Sequence, residues 1–180
     1  MIAGIELFNL KGKRALITGS SQGIGYALAK GLDQAGAEII LNGRDKEKLD
    51  NSAKALEANQ KLFQLSFDVT DYKATEEAIN NFECQFGGIN ILINNAGMQH
   101  RSQLEDFPPE MFEQLMRTNV SSVFNVSQVM AKHMIKRGSG KIINIASVQT
   151  SLARPGIAPY TATKGAVGNL TKGMATDWAK

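Results

Sequence analysis

Ser147, Tyr160 and Lys164 are the side chains whose types and spacing could do chemistry together. Tyr160 follows Ser147 by thirteen positions, and Lys164 follows Tyr160 by four. On a helix, a spacing of four sets two side chains on one face, a turn apart. A phenol titrates near pH ~10, too high for proton transfer at neutral pH, and a neighbouring ammonium favours its ionised form. Ser147 could hold a substrate oxygen by a hydrogen bond while negative charge builds on it. The chain carries its own control. Tyr26-Ala-Leu-Ala-Lys30 repeats the spacing, but Lys13 stands where a serine is needed. That pair reads as surface and packing.

A second constellation suits a phosphate. Thr18-Gly-Ser-Ser-Gln-Gly-Ile-Gly25 follows a short apolar run and opens a helical pattern. Gly19 allows a tight turn, Gly23 lets backbone approach a phosphate, and Gly25 lets helix and strand pack closely. Ser21, Gln22 and Ile24 lie between them at the helix start, whose free N–H groups suit a pyrophosphate. Three residues separate the first two glycines, where the common dinucleotide turn has one. Further along, Asn42-Gly-Arg-Asp45 ends an apolar run at the place where NAD-binding folds set an acid for the ribose hydroxyls. Here that place is Gly43, followed by Arg44. An arginine fork suits a 2′-phosphate, so the reading is NADP(H), with NAD(H) left open by Asp45. Asp45 also reads as a helix cap. Asp68 with Val69, and Asn95, Ala96 and Gly97, end later runs and could line an adenine and ribose groove.

These residues need elements to position them. Strands are predicted over Arg14–Thr18, Glu38–Asn42, Leu62–Phe67, Ile89–Ile93 and Lys141–Ala146. Helices are predicted over Gly23–Ala35, Lys46–Ala58 and Asp71–Phe86, then from about Pro109 to Lys136 and from about Pro159 onward. Alternating strand and helix implies a parallel sheet with right-handed crossovers, and strands apolar on both faces imply covered faces. The expected fold is α/β, a doubly wound Rossmann-like sheet forming one domain over residues 1–180. Ligands bind such sheets at the carboxyl ends of the strands, where the residues above fall.

Composition agrees. Of 180 residues, 43% are hydrophobic and 21% charged, ordinary for a globular protein. The net charge is +3 with basic residues scattered, which argues against a nucleic-acid patch. Cys84 is the only cysteine, which excludes an internal disulfide and fits a cytoplasmic protein. No apolar run reaches a membrane span and no signal peptide is visible, while two histidines without clustered cysteines argue against a metal site.

In order, Thr-Gly-x-x-x-Gly-x-Gly, Asn-Asn-Ala-Gly, Asn119 within Arg117-Thr-Asn-Val120, Ser147 and Tyr-x-x-x-Lys resemble the short-chain dehydrogenase/reductase family across essentially the whole chain. The resemblance implies an NAD(P)-dependent enzyme that interconverts an alcohol and a ketone. Tyr160 would then pass the proton, Ser147 would steady the substrate oxygen, and Lys164 would hold the nicotinamide ribose and tune the phenol. Asn119 would kink its helix and hold a water that relays protons to Lys164. Asn95–Arg101, Ser147–Gln149 and Arg154–Tyr160 are similar to the gluconate 5-dehydrogenase group, which interconverts gluconate and 5-ketogluconate. Arg101, Gln149 and Arg154 could then meet a sugar acid's carboxylate and hydroxyls beside Ser147 and Tyr160. Alternatives are a 3-oxoacyl thioester, another sugar or a polyol, or cofactor binding without turnover. In the family, further strands and a substrate-covering loop follow, so the chain reads as C-terminally truncated, with its fifth strand an open edge. An intact enzyme would be a homodimer or homotetramer.

Overall fold

The computed structural model describes residues 4–179. Five parallel strands form one sheet: β1 (Arg14–Ile17), β2 (Glu38–Gly43), β3 (Leu62–Ser66), β4 (Ile91–Asn94) and β5 (Lys141–Asn144). Their order is β3-β2-β1-β4-β5. The chain builds outward from β1 in one direction, then returns to start the other half at β4. The carboxyl ends of β1 and β4 therefore flank the point where strand order reverses, the place where doubly wound sheets carry their ligand crevice.

Side chains alternate across the strands and fill two cores. Leu16, Ile40 and Leu92 pack with Ile79, Phe82, Val126 and Met130 on one face. Ala15, Ile17, Ile39, Leu41 and Ile93 pack with Ala29, Leu49 and Leu56 on the other. Each buried Leu or Ile contributes about 1.5–3 kcal/mol, which fixes the strand register. Helices α1 (Gly23–Gln34) and α2 (Lys46–Leu56) cover the second face. Helix α3 (Tyr72–Phe86) and the long helix after β4 cover the first.

The predicted helix from Pro109 to Lys136 is present, with one π turn inside it. It runs as α4 (Pro109–Met116), one π turn (Arg117–Ser121) and α5 (Ser122–Lys136). Short 3-10 turns span Gly4–Phe8 and Val148–Thr150, and α6 (Ala158–Trp178) packs beside α4 and α5.

The predicted strand Ile89–Ile93 starts two residues later, at Ile91. Ile89 is fully buried, but its backbone N–H bonds Glu83 Oε1 at 2.7 Å and its carbonyl takes the Arg137 guanidinium. Side chains thus use the groups a ladder would need. Strand β5 lies at the sheet edge, as the sequence led us to expect, and Lys141 and Ile143 on it are exposed. Beside it a groove of about 590 Å³ is lined by Met134, Ile142, Asn144, Thr171, Met174 and Trp178, among others. No helix among the described residues is long and apolar enough to cross a membrane.

Candidate active site

The glycine turn leaves β1 and enters α1. Gly19 has φ +61°, and a Cβ there would lie 2.9 Å from Ala96 Cα. Gly23 has φ +60° and opens on empty space, while Gly25 is walled in. A Cβ on Gly25 would lie 2.5 Å from Asn95 Nδ2 and 2.6 Å from the Gly19 carbonyl. Gln22 is the N-cap of α1 but offers no side-chain cap bond. The first N–H groups of α1 are thus not taken by a cap, and Ser21, Gln22, Gly23 and Ile24 border them. A pyrophosphate fits this cradle.

Buried polar side chains hold the turn in shape. Asn42 Oδ1 accepts from Gly19 N at 3.2 Å, while Asn42 Nδ2 donates to the carbonyls of Leu65 and Phe67. Ser20 Oγ donates to the Ile17 carbonyl and accepts from Asn42 N. Thr18 Oγ1 accepts from the N–H groups of Asn95 and Ala96, and Asn95 Nδ2 donates to the carbonyls of Thr18 and Gly19. The loop after β4, with Ala96 and Gly97, is thereby locked to the turn after β1. Nothing in the sequence marks out Ser20 or Asn42. Their signal was a polar residue at the end of an apolar run, which is common to many loops.

At the far end of the crevice, Gly43 offers no side chain. The Arg44 guanidinium is exposed and lies 3.6 Å from Asp68 Oδ2. Burial pushes the Asp68 carboxyl up. Hydrogen bonds from the Thr70 N–H and hydroxyl, with the Arg44 charge, outweigh it and hold the group below the ordinary aspartate value. Asp45 caps α2, accepting from Lys48 N at 3.0 Å. Val69, next to Asp68, is buried against the first core.

Of the predicted catalytic residues, Tyr160 and Lys164 stand together on α6, which packs against the 3-10 turn that Ser147 caps. Ser147 ends the stretch after β5 and accepts from Gln149 N at 3.2 Å. The Lys164 ammonium lies 5.7 Å from the centre of the Tyr160 ring. Lys164 is only 7% exposed, and burial holds its pKa below the ordinary lysine value. Its ammonium donates to the Ile145 carbonyl at 2.7 Å. Thr150 Oγ1 donates to the Lys164 carbonyl and fastens the 3-10 turn to α6. By contrast, Lys30 of the control pair is exposed and Tyr26 packs against the core.

Asn119 sits in the π turn and is buried. Its Oδ1 accepts from Met98 N at 2.8 Å, and its Nδ2 donates to the Met98 carbonyl at 2.9 Å and to Thr163 Oγ1 at 3.1 Å. Its side chain therefore ties α6 to the loop after β4, while the Lys164 ammonium bonds elsewhere. The residues proposed for substrate are dispersed. Arg154 lines a cleft of about 720 Å³ with Gln103, Leu104, Glu105, Pro155 and Gly156. Arg101 is exposed outside that lining, and Gln149 is half-buried with its Oε1 unpartnered. Ser102 N donates to the Gly156 carbonyl and holds the two loops together.

A sheet with an uncapped phosphate cradle at its switch point, and a phenol and ammonium paired on the helix after β5, is the arrangement of a dinucleotide-dependent oxidoreductase. The family model described as short chain dehydrogenase matches residues 13–180, and the chain belongs to that family. It is thus an oxidoreductase of CH–OH groups, in a family that uses NAD(P). A gluconate 5-dehydrogenase of Gluconobacter oxydans is 57% identical over 97% of this chain and 69% of its own length. A 5-keto-D-gluconate 5-reductase of Escherichia coli is 41% identical with the same coverage. The crystal structure of a gluconate 5-dehydrogenase from Burkholderia cenocepacia, in complex with NADP and tartrate, superposes with a TM-score of 0.95. It shares 52% identity over 98% of this chain and 70% of that one.

Proposed function

We propose that this chain interconverts gluconate and 5-ketogluconate with NADP(H), as one cofactor-binding and catalytic unit. The 57% identity to a gluconate 5-dehydrogenase carries the choice of substrate. The cleft walled by Arg154 and reaching Ala158, two residues before Tyr160, supports an anionic substrate. Arg44 in place of an acid, and the NADP held by a similar structure, support the choice of cofactor.

When bound, the nicotinamide supplies or accepts the hydride. The residues do the rest. Gly19, Gly23 and the first turn of α1 would hold the pyrophosphate, with Gly25 keeping the helix close. Asp68, Asn95, Ala96 and Gly97 would line the nucleoside, and Lys164 would hold the nicotinamide ribose. Ser147 would donate a hydrogen bond to the substrate oxygen as its charge changes. Tyr160 would protonate that oxygen in the reducing direction and take the proton back in the other. Arg154, Arg101 and Gln149 would bind the sugar acid. Its lone cysteine supports work in the cytoplasm. Exposed Phe112 and Phe124 on the long helix support pairing of subunits there.

The test is NADPH oxidation with 5-ketogluconate by the protein and by its Tyr160→Phe variant. The variant should lose about 10²–10⁴-fold in kcat, the range for a lost proton-transfer group. Equal rates would remove Tyr160 from the mechanism. Fluorescence titration with NADPH alongside separates binding from turnover.

A further inference from the structure

We propose that Thr163 is a positioning residue for the Tyr160–Lys164 pair, carrying the geometry of the π turn and of the loop after β4 into α6. The inference deepens the proposed function and rests on Tyr160 being the proton donor.

Thr163 is fully buried, between the two residues whose spacing matters. Its hydroxyl has one proton, which goes to the Tyr160 carbonyl at 2.7 Å. The oxygen therefore meets Asn119 Nδ2, 3.1 Å away, as an acceptor only. Asn119 cannot turn to suit another partner. Met98 clamps its amide from both sides, with its N–H on Oδ1 and its carbonyl on Nδ2. The direction of every bond is thus fixed: Met98 N–H to Asn119, Asn119 to Thr163, Thr163 to Tyr160.

Each end of this chain has a function. Met98 follows Gly97, in the loop that Thr18 and Asn95 lock to the phosphate turn. The Tyr160 carbonyl is the acceptor that, in the i→i−4 pattern, closes the helical turn to Lys164. A threonine hydroxyl bonded back to such a carbonyl tilts it and bends the helix locally. The bond thus sets how the phenol and the ammonium stand relative to the loop that faces the cofactor crevice. A purely structural role would need only that Asn119 be satisfied. The network instead runs on to the carbonyl of the residue that moves the proton. A displacement of about 1 Å in such a group costs on the order of 10²-fold in rate.

The test compares the protein with Thr163→Val, Thr163→Ser, Thr163→Ala and Tyr160→Phe, using 5-ketogluconate and NADPH. Readouts are kcat, both KM values, the pH profile of kcat/KM and the thermal midpoint. Valine keeps the shape and removes both bonds. It should lower kcat by about 10–100-fold, with the NADPH KM nearly unchanged. The pH profile of kcat/KM should shift as well. Serine keeps the hydroxyl and should restore both rate and profile. If the valine variant does not fold, the profile of the alanine variant decides in the same way. An unshifted profile and unchanged kcat, whatever the thermal midpoint, would overturn the proposal, as would failure of serine to restore them. An active Tyr160→Phe variant overturns the reading beneath it as well. An inactive one beside an unimpaired valine variant overturns the role of Thr163 alone.

Discussion

Under the proposed function, Gly43 and Arg44 stand where the two dinucleotides differ, and the energies involved are small enough to be switched by one side chain. The Arg44–Asp68 pair is exposed at 3.6 Å, and such pairs contribute about 0.2–1 kcal/mol. A bidentate phosphate contact is stronger, so the guanidinium can leave Asp68 for a 2′-phosphate without much cost. Asp45, the acid that left the choice open in the sequence, is occupied as the cap of α2. Position 43 has room for a side chain: a Cβ would meet Ser21 Oγ at 3.4 Å and Leu49 Cδ1 at 3.7 Å. Gly43→Asp should therefore put a carboxylate at the ribose hydroxyls and repel the phosphate. The ratio of kcat/KM for NADPH to that for NADH should fall by about tenfold or more, a change of about 1.4 kcal/mol. Steady-state kinetics with both cofactors check it. An unchanged ratio would mean that the 2′ end of the nucleotide lies elsewhere.

At the scale of elements, the junction of β1, α1 and β4 is the tightest part of the site. With Asn95 Nδ2 and the Gly19 carbonyl both within about 2.6 Å of a Cβ on Gly25, alanine there must push backbone rather than a flexible tip. Overpacking of this kind costs about 1–3 kcal/mol. Gly25→Ala should lower the thermal midpoint and weaken NADPH binding together, because one displacement moves both the helix and the cradle. Calorimetry and fluorescence titration on the same sample would check the coupling, and a loss of one without the other would contradict it. This junction was legible in the sequence because three glycines at fixed spacing have a local cause. So were the strands, since Ala15–Ile17 and Ile39–Leu41 are apolar on both faces. The π turn was not legible from periodicity, which runs unbroken from Pro109 to Lys136. The resemblance implied a kink at Asn119, but its partners Met98 and Thr163 lie 21 and 44 residues away in sequence. The late start of β4 was hidden for the same reason, since Glu83 and Arg137 claim Ile89 from two other elements. Of the substrate residues, only Arg154 lines the cleft, and its loop gives no periodic signal at all.

The molecule as a whole carries a cost for its chemistry, because Lys164 is an ammonium in the interior. Its single bond to protein among the described residues is the one to the Ile145 carbonyl. Burial disfavours the charged form and holds its pKa below the unfolded value. Between those two values the unfolded chain binds more protons than the folded one, so stability rises with pH across that window. Below the folded value the penalty is present in full. Asp68 acts in the opposite sense. Its folded pKa is depressed, so its contribution is present above the ordinary aspartate value and is lost as pH falls through the folded one. Lys164→Met should separate the two. Removing the ammonium removes the burial penalty and leaves the Ile145 carbonyl unpaired, at about 1–3 kcal/mol. The alkaline gain in stability should therefore flatten, and the thermal midpoint at neutral pH should fall by no more than the lost Ile145 bond accounts for. The acid-side loss should stay, and turnover should fall by about 10²–10⁴-fold. Thermal unfolding of both proteins from acid to alkaline pH, with kcat measured alongside, checks every part. A clearly lower midpoint with the alkaline rise intact would show that the ammonium supports the fold through Ile145, and that its burial is no burden on the rest of the molecule.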